Sequence, residues 1–191
     1  MKHLKPKKVV LIGASTGGPG QIHKVLKEVP ILHNTSIVIA QHMSDGFLKS
    51  FATRLKEPSL NNIELTQENK LFKSNTVYVC EKSISLNINK EQLIFKENKI
   101  SKNSFNPDIN LIFNSFANIK DIKILCVILT GIGDDGVNAC INLNKNGARC
   151  ITESKDSAII DGMPSHAREL VLNIEVLDMQ KIIKEISEFC E

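Results

Sequence analysis

The chain has 191 residues, of which 42% are hydrophobic and 24% are charged, and its formal net charge is +3 at pH 7. This composition is typical of a globular domain that buries its own core, and it excludes an intrinsically disordered protein. A small net charge, no Trp and a single Tyr exclude the basic, aromatic-rich surface of a typical nucleic-acid-binding protein. We therefore predict one domain over residues 1–191, with a basic tail at residues 1–7 and no nucleic-acid partner.

The basic tail is followed by only four apolar residues before Gly13. A signal peptide needs about 7–15 apolar residues and a membrane-spanning helix about 20. We therefore expect a cytoplasmic protein with no membrane insertion.

Short apolar runs alternate with amphipathic stretches along most of the chain. In chain order, the pattern predicts a strand at 9–12, a helix at 19–28, a strand at 36–40, a helix at 47–55, a strand at 123–129, a helix at 135–145, strands at 148–152 and 174–177, and a final helix from residue 178. Apolar strands separated by helices indicate βαβ units. The predicted fold class is therefore α/β, with a mostly parallel sheet and helices on both faces.

The middle of the chain has a different pattern. Short apolar runs at 76–79, 84–88 and 92–95 lie close together and predict an antiparallel hairpin, inserted into the parallel sheet or added to it. A further helix is expected to begin at Pro107, because proline is favoured in the first turn of a helix.

Five cysteines are scattered along the chain, at positions 80, 126, 140, 150 and 190. Their number is odd and no pair has C-x-x-C spacing. We predict that they are reduced thiols of the core, and we expect no metal and no cofactor.

Reactive side chains follow three of the predicted strands. The segments are Gly13-Ala-Ser15-Thr-Gly17, Gln41-His42-Met43 and Thr130-Gly-Ile-Gly-Asp134-Asp135-Gly136. Ligands of an open parallel sheet bind beyond the carboxyl ends of its strands, so a serine, a histidine and an aspartate are expected at one edge. A histidine can activate a serine hydroxyl as a nucleophile, and a carboxylate can hold the imidazole in one tautomer. The first segment also fits G-x-S-x-G, a sharp strand-to-helix turn that exposes its serine.

Other interpretations of these residues remain open at this point. Ser15 and Asp135 could each cap the helix that follows. The glycine-rich turn could bind phosphate, although it lacks G-x-G-x-x-G and the lysine of G-K-[ST]. His166 is an alternative to His42 as the base, and strand position does not distinguish Asp134 from Asp135.

The same segments resemble the catalytic domain of the bacterial chemotaxis protein-glutamate methylesterase. The resemblance covers nearly the whole chain and rests on Ile12-Gly-Ala-Ser-Thr-Gly-Gly18, Gln41-His-Met43, Gly46-Phe47, Leu129-Thr-Gly-Ile-Gly-Asp-Asp-Gly136 and Asp161-Gly-Met-Pro164, in the family's order. It implies a doubly wound sheet with an inserted antiparallel hairpin. It also implies that Ser15 is the nucleophile, His42 the general base and Asp135 the orienting carboxylate, with the backbone N–H groups of Thr16 and Ile132 as oxyanion donors.

The implied reaction is hydrolysis of glutamyl methyl esters on chemoreceptors to glutamate and methanol, with deamidation of receptor glutamines as a related activity. The implied role is chemotaxis adaptation, with chemoreceptors and other chemotaxis proteins as partners. The alternative is a catalytically silent binding protein on the same fold, which would be expected to have lost a triad residue. Family members commonly carry an N-terminal receiver domain. Only eight residues precede the first predicted strand, so we expect a natural form without a receiver domain.

Overall fold

The fold is described here from a computed structural model, which covers residues 5–89, 92–98 and 105–191. The start of the basic tail, His3 and part of the predicted hairpin bend lie outside these ranges. The strands are β1 (Lys8–Ala14), β2 (Thr35–Gln41), β3 (Asn62–Leu65), β4 (Thr76–Val79), β5 (Ile84–Asn89), β6 (Gln92–Glu97), β7 (Lys123–Ile128), β8 (Arg149–Glu153) and β9 (Glu175–Leu177). The helices are α1 (Gly18–Glu28), α2 (Asp45–Leu55), α3 (Ile109–Asn114), α4 (Val137–Lys145), α5 (Met163–Leu170) and α6 (Met179–Cys190).

Seven strands form one parallel sheet in the order β3-β4-β2-β1-β7-β8-β9. The first strand is therefore central, and the chain winds away from it in both directions. Successive side chains of a strand point to opposite faces, so Val9 and Leu11 enter one core while Val10 and Ile12 enter the other. This arrangement confirms the predicted doubly wound α/β fold.

Each face of the sheet has its own layer of helices. Apolar side chains of α1, α2 and α6 form one core with the sheet, and those of α3, α4 and α5 form the other. Because both faces are covered, β1 and β2 are almost wholly buried, and each contains a continuous apolar run, at 9–12 and at 37–40. In the described part of the chain, no helix is long and apolar enough to cross a bilayer.

The antiparallel hairpin forms a separate two-stranded sheet from β5 and β6. It packs on the same core as α3, where Phe95 lies against Phe72 and Tyr78 at ring-centroid distances of 5.6 and 5.0 Å. The sequence left open whether the hairpin joins the main sheet, and the structure places it over one face of that sheet.

Local predictions differ from the structure in several places. The run at 76–79 was grouped with the hairpin, but it is β4, which pairs in parallel with β2 and β3 in the main sheet. The helix expected to begin at Pro107 begins at Ile109, because the Asp108 side chain accepts a 2.8 Å hydrogen bond from the Leu111 N–H and acts as the N-cap. The edge strand β3 was not predicted, since Ile63 is its one fully buried side chain and the segment contains no apolar run.

Candidate active site

The register of the central strands brings Ser15 and His42 to the same edge of the sheet. Ala14 and Gln41 are paired residues of β1 and β2, so the residues that follow them leave the sheet side by side. The His42 N–H donates to the Ala14 carbonyl at 2.9 Å, and the Ser15 N–H donates to the Thr130 carbonyl at 2.9 Å. Hydrogen bonds thus connect the ends of β1, β2 and β7 directly.

The turn after β1 presents the Ser15 hydroxyl without using it as a helix cap. The N-cap of α1 is Gly17, with φ of 87° and no side-chain capping bond. A side chain at that position would lie within 2.8 Å of Ile159 Cβ and would require a left-handed backbone, so glycine is needed there. The Ser15 hydroxyl makes no hydrogen bond to another described residue, including His42. Such nucleophile–base contacts often tighten only when substrate binds.

His42 and Asp135 form the central contact of the site. His42 Nε2 lies 2.7 Å from Asp135 Oδ2, and the two side chains are 11% and 3% exposed. Asp135 also accepts hydrogen bonds from the backbone N–H groups of Ile109 at 2.8 Å and Asn110 at 3.0 Å. Since a carboxylate only accepts, Nε2 carries the ring hydrogen and Nδ1 keeps the lone pair of a neutral imidazole.

The geometry distinguishes these residues from the alternatives that the sequence left open. Asp134 is exposed, whereas Asp135 is buried against His42. Asp135 does not cap α4, the helix that follows it, because the N-cap of α4 is Gly136 and has no side-chain capping bond. His166 is exposed on α5, where its Nδ1 lies 2.9 Å from the Gly162 carbonyl oxygen.

Two further histidines also lie away from the His42–Asp135 contact. His23 and His33 are both exposed, the first on α1 and the second in the loop before β2. The His42 ring is instead covered on one side by Phe105, whose ring stacks on it at a centroid distance of 4.7 Å and an interplanar angle of 16°.

The segment after β7 lies directly against the serine turn. A Cβ built on Gly131 would lie 2.6 Å from Ser15 Cβ, so only glycine permits this approach. The backbone N–H groups of Thr16 and Ile132 flank the contact, and neither donates to another group of the described chain.

Gln41 is a positioning residue that sequence reasoning did not single out. Its side chain is buried, and its Nε2 donates to the carbonyl oxygens of Ser15 at 2.8 Å and His42 at 2.9 Å. It therefore fixes the backbone at both Ser15 and His42. A polar residue directly after the apolar run at 37–40 is the signal that could have indicated this role.

Glu153 is a second such residue, at the carboxyl end of β8. Its buried carboxylate accepts hydrogen bonds from the Thr130 N–H at 2.9 Å, Gln21 Nε2 at 2.6 Å and the Ser157 hydroxyl at 2.9 Å. Burial raises the pKa of Glu153 despite these donors. Through Thr130, this carboxylate holds the segment that contains Gly131 and Ile132.

The Asp161-Gly-Met-Pro segment fixes the same loop from its other side. The Met163 N–H donates to the Gly131 carbonyl at 2.8 Å, and the Gly131 N–H donates to the Ile160 carbonyl at 3.0 Å. Arg168 pairs with the Asp161 carboxylate at 2.7 Å, which holds the segment against α5. The loop after β7 is therefore anchored on both sides.

Among the described residues, one group of three side chains could together bind a metal ion, and it is not at this edge. It consists of the thiols of Cys126, Cys140 and Cys150, which lie in the core formed by β7, α4 and β8. The edge with Ser15, His42 and Asp135 instead has the groups of a nucleophilic site: a free hydroxyl, an oriented imidazole and unpaired backbone N–H groups.

Comparison with known proteins gives consistent results. The profile of the CheB methylesterase family matches residues 10–186. A protein-glutamate methylesterase/protein-glutamine glutaminase of Saccharophagus degradans is 32% identical over 92% of this chain and 48% of the relative. A relative of the same description from Oceanobacillus iheyensis is 32% identical over 93% of this chain and 51% of its own length. The chain thus spans about half the length of these curated relatives.

A solved structure is similar along nearly its whole length. The crystal structure of the Thermotoga maritima CheB methylesterase catalytic domain has a TM-score of 0.88 and 30% sequence identity, and the alignment covers 95% of this chain and 97% of that one.

Proposed function

Because the chain belongs to the CheB methylesterase family, we propose that it hydrolyses glutamyl methyl esters on chemoreceptors through Ser15, His42 and Asp135. The observation that best supports this function is the His42–Asp135 contact of 2.7 Å, which lies at the sheet edge next to the free Ser15 hydroxyl. An oriented imidazole beside a serine is the arrangement that acyl transfer requires.

In the proposed first step, Ser15 Oγ attacks the ester carbonyl carbon while His42 Nδ1 takes the hydroxyl proton. The bond to Asp135 leaves Nδ1 as the basic nitrogen, and it stabilises the imidazolium that forms. The carbonyl oxygen becomes an oxyanion and accepts hydrogen bonds from the backbone N–H groups of Thr16 and Ile132. Collapse of this intermediate expels methoxide, which takes the proton from His42 and leaves as methanol.

The second step removes the glutamyl group from Ser15. A water molecule gives one proton to His42 and attacks the acyl carbon, and Ser15 Oγ leaves and recovers the proton. The products are glutamate and a free serine. The same steps on a glutamine side chain would release ammonia, which agrees with the double description of the curated relatives.

A protein substrate is favoured by the surroundings of the site. Three apolar side chains around it are exposed: Phe105 by 52%, Ile132 by 63% and Ile159 by 61%. Phe105 stacks on His42, Ile132 follows Gly131, and Ile159 packs on Gly17. We call these three residues the apolar rim. A rim of this kind suits the surface of another protein better than a small polar ester.

The rival function is a catalytically silent binding protein on the same fold. The nucleophile, base and carboxylate are all present, and Gln41 and Glu153 hold the backbone around them. A binding protein would have no use for a buried, oriented imidazole beside an unpaired hydroxyl. These contacts favour an enzyme.

Methanol release from a methylated receptor tests the proposal. The wild-type chain should release methanol, and Ser15→Ala should reduce the rate at least about 10³-fold. The stability of Ser15→Ala should equal that of the wild type, because its hydroxyl makes no hydrogen bond in the described structure. A folded Ser15→Ala chain that releases methanol at the wild-type rate would exclude Ser15 as the nucleophile. Ammonia release from receptor glutamines, measured in parallel, gives the ratio of the two activities.

A further inference from the structure

Three cysteines from separate elements converge in the core beside β8. Cys126 of β7 and Cys150 of β8 are paired residues of the sheet, and Cys140 reaches them from α4. Their sulfur atoms all lie within 4.8 Å of one another. All three thiols are free, and their residues are 0–3% exposed, with Cys150 the least buried.

Thiols often serve as small apolar groups in a core, and the free, buried residues Cys80 and Cys190 fit that role. The three-cysteine cluster differs because its sulfurs face one another. The Cys150 thiol also donates to the backbone carbonyl oxygens of Cys140 at 3.7 Å and Ala148 at 3.8 Å. The cluster therefore offers three sulfur atoms, the ligands that soft ions prefer, at one place in the core.

The spacing of the sulfurs fits a single ion. An ion bonded to three sulfurs at about 2.3 Å, the usual length of a metal–thiolate bond, separates them by about 4.0 Å when it lies in their plane and by less when the centre is pyramidal. The three sulfurs already lie within 4.8 Å of one another. Small rotations of the side chains would therefore bring them to bonding positions without a change of fold.

A cleft lies close to the cluster. It has a volume of about 390 Å³ and is lined in part by Ile124, Leu143 and Ala148. Ile124 lies two residues before Cys126 on the same face of β7, Ala148 directly precedes β8, and Leu143 lies three residues after Cys140 on the same face of α4. These lining residues pack in the same hydrophobic core as the three buried thiols.

Charge determines which ion suits this environment. Three thiolates around Cu⁺ or Zn²⁺ leave a net charge of −2 or −1, and Zn²⁺ also prefers a fourth ligand. A net charge in an apolar core is unfavourable. A trivalent ion bound by three thiolates is neutral, and a pyramidal centre needs no fourth ligand.

We propose that Cys126, Cys140 and Cys150 form a binding site for a trivalent thiophilic metalloid of the arsenite type. In the binding step, As(OH)₃ loses three hydroxyl groups as water, each with a proton from one thiol, and three As–S bonds replace three As–O bonds. No electron is transferred. The bound atom links β7, α4 and β8, and it therefore stabilises the folded chain.

The test uses sodium arsenite with the purified chain, kept reduced by a phosphine. Native mass spectrometry should show one arsenic atom per chain with the loss of three thiol protons, and the melting temperature should rise. X-ray absorption at the arsenic edge should give three As–S bonds and no As–O bond. No bound arsenic, or an arsenic atom with two sulfur ligands and one oxygen ligand, would overturn the proposal.

Matched variants locate the site. Cys126→Ser, Cys140→Ser and Cys150→Ser should each weaken arsenite binding at least 100-fold, whereas Cys80→Ser and Cys190→Ser should leave it unchanged. Circular dichroism of each variant without arsenite identifies any that fails to fold. In that event, protection of the three thiols from alkylation in the arsenite-treated wild type, mapped by peptide mass spectrometry, decides the question. Zn²⁺ binding with equal affinity would refute the charge argument, and protection of Cys80 or Cys190 instead would refute the location.

Discussion

His42 and Asp135 are 93 positions apart in the chain, and their side chains meet at 2.7 Å with almost no exposure to solvent. The same carboxylate accepts two backbone N–H groups from the first turn of α3. Asp135 therefore receives three hydrogen bonds, two of which also fix the position of a helix. Its replacement should affect both activity and stability.

Asp135→Asn should lower the rate of methanol release by about 10³–10⁴-fold, because the amide can no longer hold His42 in the required tautomer. It should also lower the free energy of unfolding by about 1–3 kcal/mol, because its NH₂ group must face one of the buried N–H donors. Kinetics and urea denaturation measure the two effects. Asp134→Asn is the matched control, and its exposed side chain predicts near-normal values for both. Equal loss of activity in the two variants would contradict the assignment.

Gly131→Ala should inactivate the protein without the loss of any reactive group. A methyl group there would meet Ser15 Cβ at 2.6 Å and its backbone nitrogen at 3.0 Å, so the loop after β7 must move away from the serine turn. We expect methanol release to fall at least about 10²-fold, since one misplaced oxyanion donor costs that much.

Gly20→Ala is the control for Gly131→Ala. It lies on α1, where a Cβ would meet nothing within 4 Å, and alanine there should stabilise the helix by about 0.5–1 kcal/mol. Thermal melting and kinetics of both variants should separate the two effects. If the Gly131→Ala chain is active, the close approach of the loop after β7 to the Ser15 turn is not needed for catalysis.

Glu153 should make stability depend on pH. Burial raises its pKa above the ordinary value of 4.5, so the folded state holds the proton more tightly than the unfolded state. The contribution of Glu153 to stability is therefore complete below the pKa that this group has in the unfolded state. The contribution is lost as the pH rises through the pKa of the group in the folded state. The free energy of unfolding of Glu153→Gln, relative to the wild type, should rise between pH 4.5 and pH 8. Urea denaturation across this range measures the difference.

Glu175 supplies a control of opposite sign. The hydrogen bonds from Arg149 lower the pKa of Glu175, so its contribution is present above the unfolded pKa and is lost as the pH falls through the folded one. Glu175→Gln should therefore be most destabilised, relative to the wild type, near neutral pH. Parallel slopes for Glu153→Gln and Glu175→Gln would contradict the raised pKa of Glu153.

The apolar rim should affect the binding of a receptor more than the chemistry. Ile132→Gln and Ile159→Gln keep the backbone and remove apolar contact area, so each should raise KM for a methylated receptor several-fold with little change in kcat. Hydrolysis of a small ester such as p-nitrophenyl acetate should stay near the wild-type rate. Ile88→Gln, on the exposed face of β5, is the control. A lower kcat on both substrates would instead indicate a disturbed oxyanion site.

The parts of the fold that could be predicted from the sequence were those with a continuous local pattern. Residues 9–12 and 37–40 are apolar because helices cover both faces of β1 and β2. The edge strand β3 is only partly buried, and its sequence therefore contains no continuous apolar run. The start of α3 was misplaced because a side-chain cap directly after a proline is a local detail that composition does not reveal.

The candidate site was predictable to the extent that it depends on strand ends. Ser15 and His42 come directly after Ala14 and Gln41, which are paired residues of adjacent strands. The alternation of strands and helices along the chain predicts that both residues lie at the same edge of the sheet. The choice between Asp134 and Asp135 depends on the position of α3, which no neighbouring residue specifies. Gln41 and Glu153 were missed for a similar reason, since their hydrogen-bond partners belong to distant segments.

The central position of β1 has a consequence for synthesis of the protein. Ser15 and His42 directly follow β1 and β2, whereas Asp135 comes 93 residues after His42, and the segments that fix the loop after β7 come later still. A nascent chain that has emerged only as far as the hairpin therefore contains the proposed nucleophile and base without the groups that orient and complete them. Hydrolytic activity should appear on the ribosome only after β8 and the Asp161-Gly-Met-Pro segment have emerged and packed against that loop, so a late part of the chain switches the reaction on.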